Sequence, residues 1–157
     1  MKDKYADYNM FWLTFELMLR MKPRLIESAV KHKLTAQQLH VLGFLSDKQP
    51  HPMSWLAALL SCDASNVTGI IDRLVALQLV ERTESKQDRR VKMVQLTEKG
   101  HALRDVIMDE LSKQSQERVD LMLSREEQEV FRKIVIKLLR ITEQEAMAEC
   151  PAAKLCN

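Results

Sequence analysis

Between Asp63 and Gly100 the hydrophobic period of this chain changes, and that switch restricts the fold more than any other feature. From Asp63, a good helix N-cap, the apolar residues Val67, Ile70, Ile71, Leu74 and Leu77 recur at three- and four-residue steps, one face of a helix. Opposite them lie Ser65, Thr68, Gly69, Asp72, Arg73 and Ala76, all small or polar. After Leu79-Val80 the period falls to two. Lys92, Val94 and Leu96 alternate with Val91, Met93 and Gln95, as expected of a hairpin strand. Thr97 then caps a further helix.

The rest of the chain reads as helices joined by short loops. Tyr5 to about Lys31 is helical by period, through Tyr8, Phe11, Trp12, Phe15, Leu19, Ile26 and Ala29. Pro23 falls inside it and predicts a kink, or two helices meeting. Such a concentration of large apolar groups is either core or a subunit interface. Thr35 and Gln38 form a capping-box pattern with Leu34 and Leu39 placed as a staple, and this helix fades at Ser46-Asp47. Gln49-Pro50-His51-Pro52 is a turn or short extended piece. Ser54 is expected to cap a short helix from Trp55 to about Leu60, and Ser61-Cys62-Asp63 to turn into the next. The helix opened by Thr97 runs through Leu103, Val106, Ile107 and Leu111. A last one starts with a second capping box, Ser124 and Glu127, and carries Phe131, Ile134, Val135, Leu138, Leu139 and Ile141. The tail from Cys150 to Asn157 is expected to fray. The reading is one mostly helical domain, residues 1–157, with a single hairpin.

Composition removes most competing functions. The chain has 157 residues, 46% hydrophobic and 29% charged, enough for one folded core. Its glycines, Gly43, Gly69 and Gly100, build neither a GxGxxG run nor a phosphate-cradling loop. His32, His40, His51 and His101 form no metal-ligand spacing with each other or with cysteine, so no metal or cofactor is expected. The nine methionines scatter over core-type positions. No nucleophile triad or paired carboxylate stands out, so no enzyme is expected. Charges at Lys2, Asp3, Lys4 and Asp7 argue against a leader, no apolar run spans a bilayer, and Cys62, Cys150 and Cys156 follow no disulfide framework. A cytoplasmic location is the expectation, with no membrane partner.

Net charge is only +2, so a nucleic-acid partner must be argued from distribution. Arg82, Lys86, Arg89, Arg90 and Lys92 stand along the hairpin against Glu81, Glu84 and Asp88, and the tip reads Asp88-Arg89-Arg90. Two short helices, the second with a polar outer face, followed by an arginine-tipped hairpin, suit a DNA major groove and the minor groove beside it. The run DASNVTGIIDRL, Asp63 to Leu74, followed by LVERTESKQDRRVKMVQLTEKG, Leu79 to Gly100, resembles the MarR family of bacterial transcription regulators. The Asp-x-Arg of the hairpin followed by Leu-Thr-x-x-Gly is the specific part, and the helix order matches over nearly the whole chain up to the tail.

The resemblance implies a mostly α fold: a winged helix-turn-helix over about 35–97, with dimerisation helices at about 5–31 and 98–147. It implies a homodimer on a near-palindromic operator, acting as a repressor relieved by a small aromatic or anionic effector. Ser65, Asn66 and Thr68 at the start of the recognition helix would approach bases or phosphates, and the helix N-terminus favours a phosphate nearby. Arg73 would contact backbone or pair with Asp88. Arg90 resembles the family's minor-groove arginine, oriented by Asp88. Arg82, Lys86, Arg89 and Lys92 read as phosphate contacts. Gly69 stands where many relatives carry a longer side chain, which leaves operator specificity open. Phe11, Trp12, Phe15 and His40 are candidates for the effector cleft, and aromatic core reads the same way.

Two alternatives stand beside this. Cys62, next to the recognition helix, suggests a redox-sensing regulator, although related peroxide sensors carry their cysteine in the first helix and this chain has none there. A winged-helix adaptor, its basic wing meeting an acidic protein, is the other.

Overall fold

The computed structural model describes residues 4–45, 49–60 and 62–149. Among the described residues six helices and three short strands follow in the order α1 (Met10–Lys31), α2 (Ala36–Phe44), β1 (His51–Pro52), α3 (Met53–Leu60), α4 (Ala64–Ala76), β2 (Val80–Glu84), β3 (Lys92–Leu96), α5 (Glu98–Met122) and α6 (Arg125–Glu149). The architecture is mostly α with one small antiparallel sheet, as the periodicity predicts.

Local capping chemistry sets most of these boundaries. Asn9 accepts the Trp12 amide and opens α1 there, so Tyr5 to Tyr8 precede the helix expected to contain them. The helix runs through Pro23 as one element, so two helices do not meet there, the second of the two outcomes expected beside a kink. The carbonyl Pro23 cannot serve, on Leu19, belongs to an exposed residue, so water can take the missing bond. Thr35 and Gln38 make the reciprocal capping box, at 3.2 and 2.8 Å. Ser124 and Glu127 repeat it at the start of α6. α3 begins at Met53, straight out of β1, so Ser54 lies inside the helix it was expected to cap. The expectations for Ser46-Asp47, for Ser61 and for the Cys150–Asn157 tail fall outside the described residues.

Two helices end in the same way. Lys33 after α1 and Gln78 after α4 adopt left-handed backbone, φ 58° and 61°. In each, the next residue's amide reaches back to the helix, Leu34 to the Ala29 carbonyl at 2.8 Å and Leu79 to the Leu74 carbonyl at 2.9 Å. This Schellman closure buries Leu34 and Leu79. Leu77, expected on the buried face of α4, is instead its exposed C-cap.

The sheet order is β1-β3-β2, all antiparallel. A hairpin alone was expected; His51 and Pro52 add a third strand against Val94 and Met93. That pairing joins residues about forty positions apart, which no local pattern reveals. Leu39 and Leu42 of α2 with its C-cap Leu45, Leu56 of α3, Ile71 and Leu74 of α4, Val94 of β3 and Ile107 of α5 form a fully buried core. The sheet and α2 to α4 therefore make one lobe, with α5 leaving from its edge.

The long helices are different. α1 packs on α2 and α5, and α6 on α3. Yet α1 exposes Met10, Phe11, Trp12 and Met18 by half or more, and α6 does so with Val130, Phe131, Ile134 and Leu139. At the base of α1, Glu110 of α5 accepts from Lys31 Nζ at 2.8 Å and lies 3.1 Å from His32 Nε2. No described helix is long and apolar enough to cross a membrane.

Candidate nucleic-acid interface

Helix α4 presents its apolar side to the core because Val67, Ile70, Ile71 and Leu74 share one face. Its outer face is therefore Ser65, Asn66, Thr68, Gly69, Asp72 and Arg73, all exposed. Asp63 fixes the start: its Oδ1 accepts the Ser65 hydroxyl at 2.6 Å and the Asn66 amide at 2.8 Å. The Ser65 hydroxyl, and after it the Asn66 amide, hold the Asp63 carboxyl below its ordinary value. A carboxylate thus already occupies the α4 N-terminus, which was expected to welcome a phosphate.

Among the expected base-reading residues, two hydroxyls are engaged within the helix. Ser65 donates to Asp63, and Thr68 donates to the Ala64 carbonyl at 2.8 Å. Asn66 Nδ2 makes only a long contact, 3.5 Å, to the Cys62 sulfur. The Cys62 thiol itself donates to the Leu60 carbonyl at 3.2 Å and is half-buried. Asn66 and Arg73 are left as the polar side chains of α4 able to reach outward.

The hairpin is set against α4 from both ends. At its root the Thr97 amide donates to the Leu79 carbonyl at 3.1 Å and the Thr97 hydroxyl to the Gln78 carbonyl at 2.7 Å. Lys99 Nζ adds a bond to the Leu77 carbonyl at 2.9 Å, so the last turn of α4 is satisfied by the first turn of α5. Higher up, Arg82 Nη1 pairs with Asp72 Oδ1 at 2.6 Å and its Nη2 lies 3.4 Å from the Thr68 carbonyl. Arg82, read as a phosphate contact, is the strut between strand and recognition helix. Lys92, read in the same way, pairs across the hairpin with Glu84 at 2.8 Å, the residue opposite it in register.

The tip is a folded turn and not a loose loop. Ser85 is buried; its Oγ accepts the amides of Gln87 and Asp88, at 3.2 and 3.4 Å. Backbone bonds close the turn: the Ser85 amide donates to the Val91 carbonyl at 3.0 Å, and the Val91 amide to the Asp88 carbonyl at 2.9 Å. Asp88, expected to orient Arg90, bonds its backbone and not its guanidinium: Oδ1 accepts the Arg90 amide at 2.9 Å. Sequence reasoning passed over Ser85, and the Ser-x-x-Asp spacing of a side-chain-bonded turn is the signal that finds it. Among the described residues no hydrogen bond or ion pair engages the side chains of Arg73, Lys86, Arg89 or Arg90. All four are exposed or partly so.

The proposed cleft residues fall into two groups. Phe11, Trp12 and Phe15 cluster on α1 with ring centroids 5.7 to 6.1 Å apart. His40 stands beside Phe44 of its own helix at 6.5 Å, in a row continued by Trp55 and by His51, which stacks on Trp55 at 4.1 Å. Among the described residues no group of His, Cys, Asp and Glu is arranged to hold a metal.

The sequence profile of the MarR family matches residues 34–92, the lobe that carries α4 and the hairpin. The chain is similar to the HTH-type transcriptional regulator MhqR of Bacillus subtilis, 31% identical over 64% of this chain and 68% of that protein. It is similar to the HTH-type transcriptional repressor NicR of Pseudomonas putida, 34% identical over 52% of each chain. Across several curated relatives the chain spans about half of their own length. Among solved structures, a single-residue mutant of MepR from a multidrug resistant clinical isolate of S. aureus superposes with a TM-score of 0.71 at 25% identity, over 85% of this chain and 97% of that one.

Proposed function

This chain belongs to the MarR family, and from that premise we propose that it is a sequence-specific DNA-binding transcription regulator acting as a homodimer. The observation that carries the reading is the state of the wing. Arg82 and Asp72 brace it against α4, Ser85 and Asp88 fold its tip, and Arg89 and Arg90 are left exposed and unengaged there. Guanidinium groups held on a rigid turn lose little freedom on meeting phosphate or a narrow minor groove. With α4 in the major groove, Asn66 and Arg73 face bases or phosphates, and Arg90 reaches the adjacent minor groove.

The apolar faces of α1 and α6 support the dimer, because a single chain leaves them in water. Two copies related by a twofold axis read half-sites about one helical turn apart. Repression relieved by a small aromatic or anionic effector completes the proposal. A ligand that prefers another spacing of the two lobes depletes the DNA-competent dimer, with Phe11, Trp12, Phe15 and His40 as candidate contacts.

Selection of bound duplexes from genomic fragments, followed by affinity measurements over a salt series, tests the reading. Affinity is expected to fall steeply with salt, and Arg90→Ala to weaken it by at least about tenfold. Duplex affinity indifferent to both salt and Arg90→Ala would leave the adaptor reading in its place.

A further inference from the structure

Gly69 lies midway along α4, exposed, in the line Ser65 and Asn66 to Arg73 that helical spacing draws along the reading face. Glycine weakens a helix interior relative to alanine, so its presence there calls for a reason. Neither of the usual structural reasons applies. A Cβ built on Gly69 meets no atom within 4 Å outside its own helix, and no glycine of the described chain has left-handed backbone. Gly100, by contrast, is held by contact with the chain itself.

The space over Gly69 is not flat. It is part of a cleft of about 400 Å³ between α4 and the start of α2, flanked by Gln37, Asn66 and Arg73. Gly69 and Ile70 are the two apolar residues of its lining, set among the polar Thr35, Gln37, Gln38, Ser65, Asn66 and Arg73, and Gly69 itself brings no side-chain donor or acceptor to it. Resting on the DNA-binding reading above, we propose that Gly69 is a specificity determinant, a gap that seats the 5-methyl group of a thymine between Asn66 and Arg73. Thymine carries the one major-groove group that is bulky and needs no hydrogen bond. A glycine also lets the helix backbone come closer to the base edge than any side chain allows.

The test uses the full-length protein and a randomised duplex library, selected separately by the wild type and by Gly69→Ala. The wild type is expected to enrich a thymine at one position per half-site, and to lose about tenfold in affinity when that thymine is replaced by uracil. Gly69→Ala is expected to unfold at a higher temperature than the wild type, to bind the wild-type duplex about tenfold more weakly, and to bind thymine and uracil duplexes alike. The higher unfolding temperature separates lost recognition from damaged folding. Equal binding of thymine and uracil duplexes by the wild type overturns the proposal, as does undiminished affinity of Gly69→Ala. If the wild type enriches no duplex at all, the DNA-binding reading falls and this one with it. Enrichment that Arg90→Ala abolishes and Gly69→Ala leaves intact removes only the present proposal.

Discussion

Gly100, in the first turn of α5, sits so close to Leu79 that a Cβ added to it would overlap the Leu79 carbonyl oxygen and stand 3.0 Å from its carbonyl carbon. The same carbonyl accepts the Thr97 amide. The end of α4, the root of the wing and the start of α5 therefore meet at one peptide unit. This contact is the physical content of the Leu96-Thr97-x-x-Gly100 pattern: Thr97 caps α5 and ties it to α4, and Gly100 lets the two approach.

Gly100→Ala is expected to destabilise the fold by about 3 kcal/mol, the upper end of overpacking, because backbone cannot rotate aside as a side chain does. Denaturant unfolding of the purified variant measures this. A loss below about 1 kcal/mol would mean that the α4–α5 junction relaxes without harm.

Gln78 is expected to respond in the opposite sense. Its left-handed backbone, φ 61°, burdens a residue with a Cβ, and its side chain is exposed. Gln78→Gly relieves that strain at some cost in unfolded-chain entropy, a net gain of about 0.5–1 kcal/mol. Thermal unfolding should rise by roughly 2–4 °C per kcal/mol for a chain of this size. An unchanged or lower midpoint would show that the Schellman turn gains nothing from glycine here.

How much of this was legible depended on the range of the interaction. The caps at Thr35, Asp63, Thr97 and Ser124 bond residues three positions apart, and each reads directly from the sequence. The buried face of α4 reads as easily, because one period settles four residues. The pairing of the third strand did not: the prolines allow an extended His51-Pro52, but its partners, Val94 and Met93, lie far along the chain. Nor did the roles of the arginines. Arg82 and Arg89 look alike in a list of charges. Which one braces the wing and which one faces outward is decided by where Asp72 lands on the neighbouring helix.

Glu110 links stability to pH. Hydrogen bonds from Lys31, and then from His32, hold its carboxyl below its ordinary value. A depressed carboxylate contributes its full stabilisation above the ordinary carboxylate range and loses it as pH falls through the depressed, folded value. Wild-type unfolding temperature should therefore drop more steeply than that of Glu110→Gln between about pH 6 and about pH 3. Parallel curves for the two proteins would show that the α1–α5 contact is too well solvated to matter.

Arg82 and Asp72 give the most direct test of how the wing is positioned. A phosphate contact contributes about 0.9 to the slope of log affinity against log salt, whereas an internal ion pair contributes none. Arg82 is bonded to Asp72 at 2.6 Å, so Arg82→Ala should lower duplex affinity about tenfold, roughly 1.4 kcal/mol, while leaving the salt slope near that of the wild type. Asp72→Asn should reproduce the loss, because it releases the same strut from the other side. Arg89→Ala should reduce the slope by about 1, as expected for a residue that meets a phosphate. The double substitution Arg82→Ala with Asp72→Asn should cost little more than either alone, since the two side chains act through one bond. If Arg82→Ala shifts the slope by about 1 and Asp72→Asn binds as the wild type does, then Arg82 leaves Asp72 for a phosphate in the complex, and the wing is positioned by the DNA instead of by α4.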